Sequence, residues 1–383
     1  MDFSWGERNE KFRREVRAFL AQHYPPDLEE TVYRTGVSHD EGFVRALAER
    51  GWVAPGWERE GHRVLDRFQQ HILKTEMTRV DAPTYALETT IMVARVIDKA
   101  GSERLKAEIL PRVFRGEAMI ALGMTEPDVG SDVAAITTRA RRDGSEWIVD
   151  GQKMFTTNAH VSDFVFLLVR TALDKPRHKG LTTFLLPMDV AGIETQAVHT
   201  LSGERTNIVF LGDVRLDDRW RIGEVDEGWQ ALMLALQDEH SAAFSPHLSR
   251  LIEEVEAWAA GDGDGARPLD APDARERIAR WATALEVGEL LEARTVWLES
   301  CGSVPIAEGP MSKLFSTEAI VHAAEDLAEL VGPDALRSKL DATAVRDGRI
   351  EHALRFSLGT TIYAGTSEIQ RNIIAQHACG MPR

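Results

Sequence analysis

The chain has 383 residues, enough for two or three cores or one large enzyme body. Hydrophobic residues at 43% and charged residues at 28% are ordinary for a globular protein, and a formal net charge of -16 argues against non-specific binding to nucleic acid or anionic lipid. Two cysteines, Cys301 and Cys379, can build neither a disulfide framework nor a Cys/His zinc site.

The first stretch, MDFSWGERNEKFRREVRAFL, is patterned as an amphipathic helix with Phe12, Val16, Phe19 and Leu20 on one face, and it lacks the apolar core of a secretory signal. No apolar run approaches the length of a bilayer span, so the expected location is cytoplasmic, or matrix-like after processing. Helical spacing continues through Phe43, Leu47 and Ala48, then over 68–80 and 102–114, with Gly101 as a break. Near Ala121 the pattern changes. Runs rich in Val, Phe and Thr at 146–149, 154–157, 164–170, 181–186 and 207–211 predict an antiparallel β domain of about 100 residues. Asp150-Gly151 between two of them is a two-residue hairpin signal, because both turn positions need positive φ. From Asp226 the helical period returns and holds to the C-terminus. The stretch "GDGDGARPLDAP" at 261–272 reads as a flexible link between two long helices. Its Asp262 and Asp264 resemble part of a calcium loop, but the third ligand position and the closing glutamate are missing, so no metal site is expected. The expected class is α+β: a helical domain at 1–120, a β domain at 121–225 and a helical bundle at 226–383. There is no G-x-G-x-x-G after a strand, no P-loop, no HExxH and no GxSxG elbow.

Four segments carry groups that could do chemistry. In "GMTEPDVGSD", 123–132, Thr125, Ser131 and the backbone at Gly130 offer hydroxyl and N–H donors along an irregular strand, suited to the edge of a flat heteroaromatic ring and a phosphate beyond it. An ordinary polar loop has the same composition. In "KMFTTNA", 153–159, Phe155 can lie against a ring face while Thr156 and Thr157 supply hydrogen bonds; an edge strand with one core phenylalanine fits equally. In "EGWQALMLALQDEHSAAF", 227–244, Trp229, Leu232, Leu236 and Ala243 mark a helical face with Met233 beside it, and steps of three and four land on Glu239. An acid on an apolar stripe should have a raised pKa, as a general base near neutrality does, unless the helix bends before Pro246 and lets it reach solvent. In "TTIYAGTSEIQRNIIAQ", 360–376, Gly365 breaks the chain and Thr366 can cap a helix running through Ile369, Ile373 and Ile374. The free N–H groups of such a turn can receive an anion or a carbonyl oxygen.

In combination, and in the order helices, β domain, helices, these segments resemble the acyl-CoA dehydrogenase family, flavoproteins that oxidise the α–β bond of an acyl thioester. Gly123-Met124-Thr125-Glu126 with Gly130-Ser131-Asp132 is similar to the family's first signature, with Val129 in place of a small residue. The likeness implies FAD contacts from Met124, Thr125 and Gly130, with Ser131 facing flavin or the CoA chain. Phe155-Thr156-Thr157 takes the place of the aromatic-x-Thr beside the isoalloxazine. Tyr363-Ala364-Gly365-Thr366-Ser367-Glu368 resembles the Tyr-Glu-Gly-Thr segment, which implies substrate contacts from Tyr363 and Gly365 and cofactor contacts from Thr366, Ser367 and Glu368. Many members carry the proton-abstracting glutamate at the position of Ala364. Relatives similar to isovaleryl-CoA dehydrogenase carry it on the helix after the β domain, and counting from Gly228 places that base at Glu239. Periodicity and resemblance select the same residue.

The resemblance implies that Glu239 takes the α proton, that flavin N5 accepts hydride, and that the Ala364 backbone N–H still binds the developing enolate oxygen. His240, a substrate contact by the same likeness, stands where an arginine is common. The segments that reach a neighbouring subunit's flavin are eroded: no Arg-x-x-Phe-Gly lies near 275–300, and Gln-x-x-Gly-Gly survives only as Glu329-Leu330-Val331-Gly332-Pro333. The implied partners are an acyl-CoA, an electron-transfer flavoprotein or other acceptor, and a homo- or hetero-tetramer with a paralogous chain. An oxidase, or a non-catalytic supporting subunit, is the alternative. Some actinobacterial members of this type act on steroid side-chain thioesters.

Overall fold

The computed structural model describes residues 5–25, 27–37, 39–57, 65–83, 85–239, 243–261 and 267–382, and only the backbone of Glu29, Tyr85 and 237–239. The N-terminal helices are α1 (Gly6–His23), α2 (Leu28–Thr35), α3 (Glu41–Glu49), α4 (Arg67–Arg79), α5 (Tyr85–Ala100) and α6 (Glu103–Phe114). Strands β1 (Ile120–Gly123), β2 (Arg139–Asp143), β3 (Glu146–Lys153), β4 (Phe164–Arg170), β5 (Leu181–Pro187), β6 (Ile193–His199), β7 (Arg205–Asp217) and β8 (Arg221–Ile222) follow. The chain closes with α7 (Gly228–Glu239), α8 (Ser245–Ala260), α9 (Pro272–Ser300), α10 (Glu308–Val331), α11 (Arg349–Thr360) and α12 (Ser367–His377). It divides into two compact units: Met1–Ala18, Asp66–Ala82 and His240–Arg383 make the first, Phe19–Leu65 and Pro83–Glu239 the second.

The second unit is built on one sheet in the order β6-β7-β3-β2-β4-β5-β8, with β1 parallel to β4. Every residue of β4 and of β5 is buried, so both faces of these central strands are covered, and that is why FVFLLVR and LTTFLLP read as unbroken runs instead of alternating ones. Helix α5 packs on β1 and α7, and α7 lies against β5. Ser102 caps α6 by accepting from the Leu105 N–H, immediately after the predicted break at Gly101.

Two local expectations are overturned here. Asp150-Gly151 is not a hairpin turn; both residues lie inside β3, where the pairing to β7 is bulged between Val149 and Gly151. Gly151 (φ 146) is pressed so closely on Thr138 that a Cβ would sit 2.6 Å from its hydroxyl, and the Asp150 carboxylate accepts from the Asp213 N–H. The tight turn is made by the earlier Asp-Gly pair: Asp143 faces Glu146 across Gly144 (φ 63) and Ser145. Residues 154–157 likewise form no strand, because Phe155 adopts φ 57 and leaves the pleat.

In the first unit α10 is central and touches α8, α9, α11 and α12. Leu248, Leu251, Val255, Ile320, Ala323 and Leu327 are in its buried core. Helix α4 packs on α8 and α9, is entered through a capping box of Asp66 and Gln69, and is tied to α1 by the Arg17 guanidinium, which donates to both oxygens of Glu76 at 2.8 and 2.9 Å. The link expected at 261–272 contains a short 3-10 turn at Pro268–Asp270; Asp262 and Asp264 lie outside the described residues. Among the described residues no cluster of metal-ligating side chains occurs and no helix is long and apolar enough to cross a membrane.

Candidate active site

The first signature is a loop leaving β1, not an irregular strand. Its turn closes through paired backbone bonds between Glu126 and Val129, 2.9 and 3.0 Å. Beneath it lies a buried ion pair between Glu126 and Lys153, with Nζ to Oε1 at 2.8 Å and the Lys153 side chain fully buried. The Glu126 carboxylate also accepts from the Thr137 N–H (2.6 Å), the Thr137 hydroxyl (2.8 Å) and the Thr138 N–H (2.9 Å). Burial alone would raise the Glu126 pKa, but the Lys153 charge and these hydrogen bonds outweigh it and keep the carboxyl ionised well below its ordinary range. Burial lowers the Lys153 ammonium as well, to about 8, below the usual lysine value, against the opposing pull of Glu126.

This pair joins two of the sequence-predicted segments. Lys153 Nζ also donates to the Met124 carbonyl (3.3 Å), and the Met154 N–H donates to the Thr125 carbonyl (2.8 Å). Residues 155–157 are then held on β7. The Thr156 N–H donates to the Asn207 carbonyl (2.9 Å), the Asn207 amide donates back to the Thr156 carbonyl (3.1 Å), and the Thr157 and Thr206 hydroxyls lie 3.1 Å apart. Phe155, forced outward by its left-handed φ, leaves its ring 54% exposed. Gly130 and Ser131 are exposed, and nothing lies within 4 Å of where a Gly130 Cβ would stand.

Helix α7 starts where a glycine is required: a Cβ on Gly228 would be 2.8 Å from the Thr182 backbone on β5. Leu232 is buried in a cluster with Val129 and Leu168, while Met124, Trp229, Met233 and Leu236 pack around it. The first signature and the predicted base-bearing helix therefore share one apolar contact. Glu239 closes α7, three residues after Leu236 and seven after Leu232. Its side chain and all of His240 lie outside the described residues. Ala243, expected on the same helical face, comes after the helix has ended; it is buried before α8.

In the first unit, Thr366 caps α12 as predicted, its hydroxyl accepting from the Ile369 N–H at 3.3 Å. Ala364 (φ 55) and Gly365 (φ 81) are both left-handed, and among the described residues neither of their N–H groups has an acceptor. Tyr363 is partly exposed and tilts over Phe244 at 6.3 Å. Thr366, Ser367 and Glu368 line an open groove with Ile362, Leu358 and Arg371.

The acyl-CoA dehydrogenase family models match almost end to end: the N-terminal domain over residues 6–117, the middle domain over 121–218 and the C-terminal domain over 226–379. The acyl-CoA dehydrogenase FadE26 of Mycobacterium tuberculosis is 32% identical over 403 residues, covering 100% of this chain and 99% of the relative. The chain belongs to the acyl-CoA dehydrogenase family. Solved structures similar to this acyl-CoA dehydrogenase include the "Tcur3481-Tcur3483 steroid ACAD" (TM-score 0.92, 30% identity, full coverage of both chains) and the ChsE4-ChsE5 complex from Mycobacterium tuberculosis (TM-score 0.91, 30% identity, full coverage of both). The α+β fold and the dependence on FAD follow from the family.

The residues present fit that cofactor. The buried Thr156 hydroxyl and both amide atoms of buried Asn158 lack partners among the described residues, next in the chain to the exposed Phe155. Orphaned donors and acceptors next to an uncovered ring suit a flat heterocycle with polar edges.

Sequence reasoning also missed a buried acid on α9 of this enzyme. Glu292 on α9 reaches the start of α8, accepting from the Phe244 and Ser245 N–H groups at 2.9 Å each and from the Ser245 hydroxyl at 2.6 Å. Burial pushes its carboxyl up to about 7 in spite of those hydrogen bonds, which pull it down. A folded-state pKa raised above the unfolded value makes a contribution that is full below pH 4.5 and is lost as pH rises through about 7. Glu292→Gln, which keeps an acceptor for the N–H groups and offers an amide to Ser245, should therefore gain stability relative to wild type between pH 5 and 8, by roughly 1–3 kcal/mol. Urea unfolding at the two pH values checks this, and an unchanged difference between the proteins contradicts it.

Proposed function

We propose that this acyl-CoA dehydrogenase uses Glu239, at the end of α7, as the base that removes the α proton of an acyl-CoA thioester. The observation that carries this is the left-handed turn at Ala364-Gly365, whose N–H groups have no acceptor among the described residues while its apex side chain has no acid. A thioester α proton is too weakly acidic for a bare carboxylate, so the enolate oxygen must meet fixed donors as charge develops. An alanine at 364 keeps the N–H and gives up only the carboxylate, leaving the base to come from elsewhere. Met124, Thr125, Gly130, Ser131 and Phe155–Thr157 hold the flavin, with Thr366, Ser367 and Glu368 as further cofactor contacts; Tyr363, Gly365, Ser131 and His240 contact the substrate. Bound FAD supplies the hydride acceptor. An electron-transfer flavoprotein or another acceptor would take up the electrons.

For the substrate we favour a branched or steroid-bearing acyl-CoA, supported by 30% identity across the whole chain to a protein named a steroid acyl-CoA dehydrogenase. For the assembly we favour a hetero-tetramer with a paralogous chain. Two relatives of 30% identity carry paired names, and this chain lacks the residues that complete a neighbour's flavin. In place of Arg-x-x-Phe-Gly the α9 helix carries Arg277-Ile278-Ala279-Arg280-Trp281, and the chain leaves α10 through Gly332-Pro333 without a second glycine. A subunit that holds flavin but cannot complete its neighbour's needs a different neighbour. Expressed alone, the chain should hold well under one FAD per chain. Expressed with its paralogue, it should form a tetramer with about half the flavin of a homotetramer, since only one chain type then builds a whole site. Flavin content and mass in solution decide it: a stable homo-oligomer with one tightly bound, substrate-reducible FAD per chain contradicts the assembly.

A further inference from the structure

Two buried side chains of the first unit, from two different helices, hold the carbonyl oxygens of the turn between α11 and α12. Lys313 on α10 is 3% exposed, and its ammonium donates to the carbonyls of Thr360 (2.9 Å) and Gly365 (2.8 Å). Gln370 on α12 is fully buried, and its amide donates to the carbonyls of Ala364 (2.9 Å) and Gly365 (3.3 Å). The fit is close: a Cβ at Gly365 would lie 2.6 Å from the Gln370 amide nitrogen.

We propose that Lys313 and Gln370 are positioning residues that set and polarise the N–H donors of this turn for the thioester carbonyl. The inference rests on the reading of Ala364 as the backbone donor and deepens it. Carbonyl and N–H of a trans peptide point in opposite directions, so a carbonyl pinned inward turns the N–H of the same unit outward. The Gln370 bond on the Ala364 carbonyl does this for the Gly365 N–H. Holding Thr360, Ala364 and Gly365 brackets the left-handed dihedrals that present the Ala364 N–H. A donor on a carbonyl also polarises the N–H of the same amide, so Gln370 on the Ala364 carbonyl strengthens the Gly365 N–H as a donor, while Lys313 on the Gly365 carbonyl fixes the exit of the turn. Neither side chain touches substrate in this scheme.

The test uses the FAD-loaded protein and a chromophoric thioester, cinnamoyl-CoA, whose absorption moves to longer wavelength when its carbonyl is polarised. Wild type should show the red shift on binding. Lys313→Met should lose most of it and reduce flavin about tenfold more slowly at saturating substrate, with a smaller change in half-saturation, because slight misplacement of donors is felt in the transition state. Lys313→Arg should recover part of both signals. Gln370→Met, a neutral change of similar size, makes the same comparison when Lys313→Met does not fold. A wild type without a red shift removes the reading of Ala364 itself. A wild-type shift retained in full by folded Lys313→Met or Gln370→Met, with reduction at the wild-type rate, overturns the positioning role alone.

Discussion

Glu239→Gln should keep its FAD and still bind acyl-CoA, yet reduce the flavin at least about a hundredfold more slowly, the lower range for removing a general base. The amide preserves shape and hydrogen bonding but cannot accept the α proton. The physical basis is the fixed origin of α7. Gly228 lies against the Thr182 backbone, and Leu232 and Leu236 are gripped by the same cluster that holds Met124 and Val129 of the loop after β1. The register of the helix, and hence the place where Glu239 ends it, is set by packing against the segment proposed to bind the cofactor. Rapid-mixing measurement of flavin reduction checks the expectation. A variant that reduces at the wild-type rate removes Glu239 as the base.

Lys153→Met should lose both stability and flavin. The substitution leaves the Glu126 carboxylate buried with its N–H and hydroxyl donors but without its cation, the situation that typically costs about 3–5 kcal/mol. The damage should also be local, because the same ammonium holds the Met124 carbonyl at the start of the loop proposed to bind flavin. A melting temperature several degrees lower and a fall in FAD per chain are the expected results. Pairing the change with Glu126→Gln, which removes the stranded charge, should restore part of the stability. A single variant that melts with wild type and keeps its flavin shows that the pair does not organise the loop.

Much of the fold was legible where one physical signal dominated. Strands β4 and β5 are continuous apolar runs because they are covered on both faces, and α6 and α12 announce themselves through Ser102 and Thr366. Strand β2, Arg-Ala-Arg-Arg-Asp, is exposed at every position but Ala140 and carries no apolar pattern to find. The two Asp-Gly pairs are indistinguishable locally; only the packing of Gly151 on Thr138 makes one a bulge while Asp143-Gly144 makes the turn. The site was legible as segments, not as contacts. Glu126 and Lys153 both stand within the quoted motifs, but a partner 27 residues away cannot be read from spacing. Periodicity alone also selects too many acids. Glu292 lies on the buried side of α9 with Gly288, Thr295 and Val296, the same kind of position that singled out Glu239, yet its lone pairs are occupied in capping α8. Resemblance to the family, not the apolar stripe, separates the two.

Anaerobic titration of the FAD-loaded protein, made with its candidate partner chains, against straight-chain, branched and steroid acyl-CoA thioesters tests the account most directly. Bleaching of the flavin by at least one thioester, strongest with a branched or steroid acyl group and greatly slowed in Glu239→Gln, is the predicted result. A flavin that stays oxidised with every thioester, or that bleaches equally fast in wild type and Glu239→Gln, contradicts it.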